Sequence, residues 1–241
     1  MKKLSLLLLI IMFFNLAVIA QVKTVKRTIK LDASSIVRDS SGMLYPYVIW
    51  QKMLSSGNYT VKPIDPRSDS TAFLLVKLSE EEKNSRYSRM AKPADSKFFT
   101  TGEKIQSFNA NDINGNKIKL KDLAGKVVVL NFWFIGCPPC RMEIPELNKI
   151  ALKYANDPNV VFVAVALDRA YDINEFIKTS PFSYHIIDDG KIYADLYKIH
   201  LYPTNVVVGK DGKVMFHSSG YGPNTPYWIN KTIEEAKQSG L

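Results

Sequence analysis

The only two cysteines of this 241-residue chain lie three positions apart, in Cys137-Pro138-Pro139-Cys140. A run of mainly β-branched residues, 126–130, comes shortly before them and is typical of a buried strand. After them, apolar residues recur at the spacing of a helix: Ile144, Leu147, Ile150, Ala151 and Tyr154. The pattern therefore places Cys137 at the start of a helix that follows a strand, and Cys140 one turn inside that helix.

This position gives the two thiols different chemistry. The free amides and partial positive charge of a helix N-terminus stabilise an anion, so a thiolate is favoured at Cys137. The Cys137 sulfur can remain exposed, and we expect it to act as the nucleophile. Cys140, one turn further in, can attack that sulfur, so the pair can pass a disulfide to or from a partner.

Two other interpretations of the cysteine pair are weaker. A structural disulfide over so short a loop contributes only about 2 kcal/mol in the chain-entropy estimate. A zinc site would need two more soft ligands, and the histidines are scattered along the chain at His185, His200 and His217. The sequence thus predicts a redox pair, with no metal and no cofactor.

The stretch from Trp133 to Pro145 resembles the thioredoxin superfamily. It has an aromatic strand end, the Cys-x-x-Cys pair, and a proline five residues after the second cysteine. The Glu143-Ile-Pro145 ending, an Asn-Gly turn upstream and an export signal narrow the resemblance to the TlpA/ResA-like thiol–disulfide oxidoreductases of bacteria. The resemblance covers about residues 96–241. It implies an α/β fold, with a thioredoxin-like mixed sheet and helices on both faces.

The resemblance also implies roles for residues outside the cysteine pair. A cis-proline at Pro203 would face the cysteines and present the backbone of Tyr202 beside Cys137, where an extended substrate could pair with it. Glu143, one turn after Cys140, would handle the proton of that thiol. The alternative for Glu143 is a solvated carboxylate that the helix dipole favours.

Two positions depart from thioredoxins proper. Asn131 stands where those proteins have a buried aspartate, so Glu143 would be the acid nearest the motif. Gly136 stands where they have tryptophan, which should thin the surface around the site. Phe132 and Trp133 are interpreted as core residues.

The N-terminus predicts export. Lys2 and Lys3 precede an apolar run over residues 4–20, which is the pattern of a signal peptide, 1–20. A cleaved signal peptide is the first interpretation, and an uncleaved inner-membrane anchor over 4–20 is the second. Either one implies the periplasm, where disulfides persist. The predicted partners are disulfide-containing exported proteins and a membrane thiol carrier that donates electrons; the scattered basic residues predict no nucleic-acid partner.

Residues 21–95 are predicted to form a small accessory α+β region of unknown role, which packs on the next domain or contacts a partner. Its expected elements are a strand over 22–31, a helix from Pro46, strands over 59–62 and 72–78, and a helix opened by a capping box of Ser79 and Glu82. A linker over 92–96 then leads to the thioredoxin-like domain, 96–241.

That domain is predicted to alternate strands and helices. The expected elements, in order, are a hairpin with a two-residue turn at Asn114-Gly115, a helical turn over 120–125, strand 126–130, helix 138–155, strand 160–166, helix 173–178, strand 184–187, helix 191–197, strands 205–208 and 214–217, and helix 227–238.

Three functions compete on this fold. A disulfide reductase is favoured because Pro138 and Pro139 lack amide hydrogens, which leaves the Cys137 thiolate less stabilised and lowers the reduction potential, to below about −200 mV. A peroxiredoxin-type peroxide reductase needs a hydroxyl three positions before its cysteine, where this chain has Phe134. Copper-handling relatives space their cysteines by three intervening residues instead of two.

Overall fold

The computed structural model describes residues 30–65 and 72–239. The predicted signal peptide, and the predicted strand over 22–31 apart from its last two residues, lie outside the described part of the chain. Within that part, no helix has both the length and the apolar character needed to cross a membrane.

The chain divides into two compact units, Met1–Tyr47 with Val61–Leu75, and Val48–Thr60 with Val76–Leu241. The elements before residue 95 are β1 (Ile36–Arg38), β2 (Leu44–Tyr45), α1 (Tyr47–Ser55), β3 (Tyr59–Pro63), β4 (Ala72–Lys77) and α2 (Glu80–Ser88). The strands form one sheet in the order β2-β1-β4-β3. The predicted capping box is confirmed, because the Ser79 side chain accepts from the Glu82 amide and the Glu82 carboxylate accepts from the Ser79 amide.

The remaining strands are β5 (Asn109–Asn111), β6 (Lys117–Lys119), β7 (Val127–Trp133), β8 (Val160–Ala166), β9 (His185–Ile187), β10 (Thr204–Val208) and β11 (Val214–Ser219). The last five form a mixed sheet in the order β11-β10-β7-β8-β9. Strands β7, β8 and β9 are parallel, and β10 is antiparallel to both β7 and β11. The central strand, β7, is buried along its whole length.

The helices of this part are α3 (Pro138–Lys153), α4 (Ala170–Thr179), α5 (Lys191–Leu196) and α6 (Thr225–Gln238), and a short 3₁₀ turn spans Leu120–Leu123. One apolar cluster joins α3, α4 and α6 to one face of the mixed sheet, and a second cluster joins α5 and the β5–β6 hairpin to the other face. The predicted mixed sheet with helices on both faces is confirmed. Phe132 and Trp133 lie in these clusters with no exposed surface, as expected of core residues.

The hairpin turn is longer than predicted. Strands β5 and β6 pair from Asn109 opposite Lys119 to Asn111 opposite Lys117, so five residues, 112–116, connect them. The carboxylate of Asp112 accepts hydrogen bonds from the amides of Asn114 and Asn116 and so closes the wider loop. This side-chain bridging outweighs the local preference of Asn-Gly for a two-residue turn.

Candidate active site

Cys137 and Cys140 form a disulfide at the N-terminus of α3, with their Cα atoms 5.3 Å apart. Cys137 is the N-cap residue of the helix. The exposed fraction is 3% for Cys137 and 1% for Cys140. The exposure that the sequence allows for Cys137 is not found in the disulfide form, because its side chain turns towards Cys140 and joins the apolar cluster under α3.

The hydrogen bonding at Cys137 follows from the two prolines. Pro138 and Pro139 occupy the first two helical positions and carry no N–H. The amide of Cys140 is the next along the chain, and it donates to Cys137 Sγ over 3.2 Å. This sulfur therefore receives its helix-terminal hydrogen bond from the third helical residue.

Glu143 is buried, with an exposed fraction of 1%, so the interpretation as a solvated helix-end carboxylate is wrong. Asn131 Nδ2 donates to Glu143 Oε1 over 2.8 Å. Asn205 Nδ2 lies 3.2 Å from Oε1 and 3.1 Å from Oε2 of the same carboxyl group. The acid thus sits one turn beyond Cys140, held by two asparagine side chains.

The surroundings of Glu143 favour its protonated form. Burial raises the pKa of its carboxyl group to about 8, although the hydrogen bonds from Asn205 and Asn131 act to lower it. Burial, and then the negative charge of Glu143, raises the pKa of Tyr184 well above its usual value and raises that of Tyr221 as well. Both phenols are consequently neutral throughout the pH range in which Glu143 titrates.

The loop before β10 carries the predicted substrate-binding residues, Tyr202 and Pro203. The peptide bond between Tyr202 and Pro203 is cis, as the resemblance implies. The ring of Tyr202 meets that of Phe134 edge to face, with centroids 5.5 Å apart. A Cβ added at Gly136 would lie 3.5 Å from the Phe134 ring, so this ring borders the position where thioredoxins have tryptophan. The Phe134 ring thus lies against the surface that Gly136 was expected to thin.

Sequence reasoning missed Asn205, which it assigned only to a strand. The available signal was a polar residue inside an otherwise apolar strand, and Asn131 shows the same signal in β7. The three histidines do not join this site. Among the residues that the structure describes, no group of three or more His, Cys, Asp or Glu side chains is placed to hold a metal ion.

Comparison with known proteins agrees with this geometry. The model of the AhpC/TSA family matches residues 101–217. The thiol-disulfide oxidoreductase ResA of Bacillus cereus is 35% identical over 124 residues, which cover 51% of this chain and 71% of that protein. The protein of the same name from Halalkalibacterium halodurans is 31% identical over 129 residues, covering 53% of this chain and 73% of that one.

Among solved structures, a thiol:disulfide interchange protein DsbE from Chlorobium tepidum superposes with a TM-score of 0.52 and 30% sequence identity. The match covers 57% of this chain and 98% of that one. With its thioredoxin-like sheet, its disulfide at the start of α3 and these relatives, the chain belongs to the ResA family of thiol–disulfide oxidoreductases.

Proposed function

We propose that this thiol–disulfide oxidoreductase works as an exported reductase, which reduces disulfides of exported proteins through its Cys-Pro-Pro-Cys dithiol. The observation that carries the proposal is the Cys137–Cys140 disulfide at the start of α3, with a helix-terminal hydrogen bond to Cys137 from Cys140. The basic and apolar pattern of residues 1–20 supports export. A membrane thiol carrier would restore the dithiol after each turnover.

The reaction transfers two electrons to the substrate. The Cys137 thiolate attacks one sulfur of the substrate disulfide, which forms a mixed disulfide and releases the first substrate thiolate. Cys140 then gives its proton to the Glu143 carboxylate, and its thiolate attacks Cys137 Sγ. The Cys137–Cys140 disulfide closes, and the second substrate thiolate leaves.

Glu143 suits the second step because its carboxylate is a stronger base than that of an ordinary glutamate. Burial raises the pKa of this carboxyl group to about 8. A base of raised pKa takes a proton from a thiol at a lower cost in free energy. The substrate chain would lie along Tyr202, next to the cis bond to Pro203, with the Phe134 ring as its neighbour.

The first test is the reduction potential, measured by equilibrating the protein with glutathione buffers. We expect a value below about −200 mV, because one amide rather than several stabilises the thiolate. A value above about −150 mV would make the protein an oxidant and contradict the proposal.

The second test captures substrates. Cys140→Ser leaves Cys137 without its resolving partner, so mixed disulfides between Cys137 and exported proteins should accumulate and can be isolated. Cys137→Ser is the matched control and should capture none. Capture by Cys137→Ser in place of Cys140→Ser would reverse the assigned roles of the two thiols.

Peroxide reduction is the second candidate, because the matching family model is that of AhpC/TSA. The residue three positions before Cys137 is Phe134, whose ring packs against Tyr202 and offers no hydroxyl to a peroxide. Parallel assays with insulin and with hydrogen peroxide separate the two functions. Faster consumption of peroxide than of insulin disulfides would favour the second.

A further inference from the structure

Three buried side chains meet beneath the first turns of α3. Asn131 on β7 and Asn205 on β10 are directly opposite each other in the antiparallel pairing of these strands. Their exposed fractions are 1% and 0%, and that of Glu143 on α3 is 1%. We call Asn131 and Asn205 the amide pair.

The hydrogen bonds of the amide pair fix the orientation of both side-chain amides. Asn131 Nδ2 donates to Asn205 Oδ1 over 2.9 Å and to Glu143 Oε1 over 2.8 Å. Because the Asn205 oxygen is occupied by Asn131, its amide nitrogen is the end that faces Glu143, within 3.2 Å of both carboxyl oxygens. The pairing of β7 with β10 thus places both side-chain amides so that their nitrogens face the Glu143 carboxyl group.

We propose that Asn131 and Asn205 are positioning residues for the proton transfer at Cys140, which orient the Glu143 carboxyl group and set the pH at which it releases its proton. The proposal rests on the proposed function in one respect, that Glu143 exchanges its proton with Cys140.

Burial and hydrogen bonding act on the pKa of Glu143 in opposite directions. Burial destabilises the carboxylate, whereas donated hydrogen bonds stabilise it, and the amide pair supplies such donors inside a site of low polarity. A hydrogen bond donated to a charged group is stronger than one between neutral groups, so each amide favours the carboxylate over the neutral acid. Removing one amide should therefore leave the carboxylate less stable and raise the pH at which it forms.

The other groups that face Glu143 do not obscure this titration. Tyr184, which precedes β9, and Tyr221, which follows β11, have pKa values raised by burial and stay neutral where Glu143 titrates. Glu146, one turn further along α3, forms an ion pair with Lys149. The cysteines carry no proton while they are joined as the disulfide.

The test uses the oxidised full-length chain with ¹³C-labelled glutamate carboxyl groups, followed by NMR as the pH is raised from 5 to 10. Glu143→Gln identifies the resonance by its disappearance. We expect Asn131→Ala and Asn205→Ala each to move the midpoint of that resonance upward by about one pH unit, a tenfold change in proton dissociation. Midpoints within about 0.2 of the parent in both variants would overturn the proposal.

Two further variants control for general disruption. Asn224→Ala removes another buried asparagine, whose Nδ2 donates to the carbonyl of Ala91, and should leave the midpoint unchanged. Asn205→Ser keeps a hydroxyl donor in case the alanine variant does not fold, and its midpoint should lie between those of the parent and Asn131→Ala. A midpoint for Asn205→Ser below that of the parent would contradict the proposal.

A second readout separates this proposal from the proposed function. In the insulin assay, the pH profile of turnover should move to higher pH in the alanine variants of the amide pair but not in Asn224→Ala. If the parent reduces insulin and the profiles do not move, the amide pair does not serve catalysis and the proposal fails. If the parent does not reduce insulin but the NMR midpoints move as expected, the proposed function fails and the control of Glu143 by the amide pair stands.

Discussion

At the scale of single residues, Glu143 and Asp112 show how two buried carboxyl groups take opposite states. Burial raises the pKa of both, but Asp112 also accepts from the Asn116 side chain, from His185 and from two backbone amides, and its net pKa is lowered. Glu143 has only the two asparagine amides, and its pKa rises to about 8. Backbone amides and a histidine thus keep Asp112 charged in the hairpin loop, whereas Glu143 can gain and lose a proton near neutral pH.

The raised pKa of Glu143 predicts how stability depends on pH. Between about pH 4.5 and 8 the folded protein holds a proton on Glu143 that the unfolded chain has released, so the free energy of unfolding falls as pH rises across this window. The free energy of unfolding should fall by at most about 1.4 kcal/mol for each pH unit. The decline levels off above pH 8, and its total should reach several kcal/mol.

Urea denaturation of the oxidised protein at pH 5, 7 and 9 checks this expectation. The glutamine in Glu143→Gln has no proton to lose in this range. The free energy of unfolding of this variant should therefore fall much less between pH 5 and 9. Equal declines in the parent and the variant would show that Glu143 titrates near the ordinary value of a glutamate.

Glu143→Gln should also slow turnover, because Cys140 would lose its proposed proton acceptor while the side chain at position 143 keeps its shape. We expect at least about a tenfold loss in the rate of resolving the mixed disulfide, measured with insulin across pH 6–9. Glu146→Gln, one turn further along α3, is the matched control and should turn over near the parent rate. Parent-like rates for Glu143→Gln across this range would leave it without a role in proton transfer.

At the scale of elements, the first turn of α3 determines which amide reaches the sulfur of Cys137. An N-cap side chain normally accepts from the amide of the second or third helical residue. Pro139 removes the former donor, so the amide of Cys140 is the one that meets Cys137 Sγ. The first helical position, Pro138, is not one of these donors.

Pro139→Ala should therefore make the protein a weaker reductant. The added amide would stabilise the Cys137 thiolate and raise the reduction potential, by on the order of 30 mV if the thiolate gains about 1.4 kcal/mol. Pro138→Ala should change the potential less, and equilibration with glutathione buffers measures both. An equal rise in the two variants would place the effect in backbone flexibility instead of in the hydrogen bond.

Most elements of the mixed sheet could be predicted from the sequence, because their hydrophobic periods are long and uninterrupted. The predicted strand over 160–166 matches β8 in full, and the helix predicted over 138–155 ends two residues later than α3. The amide pair could not be predicted, since Asn131 and Asn205 meet through the register of β7 and β10, which neither strand encodes alone. The burial of Glu143 could not be predicted either. The periodicity of a helix shows which residues share a face, but not which strands that face packs against.

At the scale of the whole molecule, α2 contacts the helix that carries the cysteines. Lys83 on α2 is buried, and its Nζ lies 3.1 Å from Asn58 Oδ1 and 3.8 Å from Glu146 Oε2 on α3. Tyr87, also on α2, donates to the carbonyl of Gly57 over 3.1 Å, and burial raises its pKa to about 12. The boundary near residue 95 stays a prediction, but α2 belongs to the same compact unit as α3.

Tyr87→Ala should destabilise that unit. It removes a buried ring, which also lies 6.4 Å from that of Tyr227 on α6, and a buried hydrogen bond. We expect the free energy of unfolding to fall by about 3 kcal/mol in urea titrations. Tyr171→Ala, at a side chain 75% exposed, should change it by less than about 0.5 kcal/mol. If the two variants lowered the free energy of unfolding equally, the contacts of Tyr87 on α2 would add nothing to the stability of the fold.

The disulfide spans a separation of only three residues, whereas Asn205 follows Glu143 by 62 residues. The short ring that this disulfide closes can form on the nascent polypeptide before β10 has paired with β7. At that stage the side-chain amide of Asn205 has not yet reached Glu143. In an oxidising compartment, each newly folded molecule would thus already carry the Cys137–Cys140 disulfide. It would have to receive two electrons before it could reduce a substrate. On the proposed function, its first reaction would be with the electron donor, which would meet a buried disulfide and not an exposed thiol.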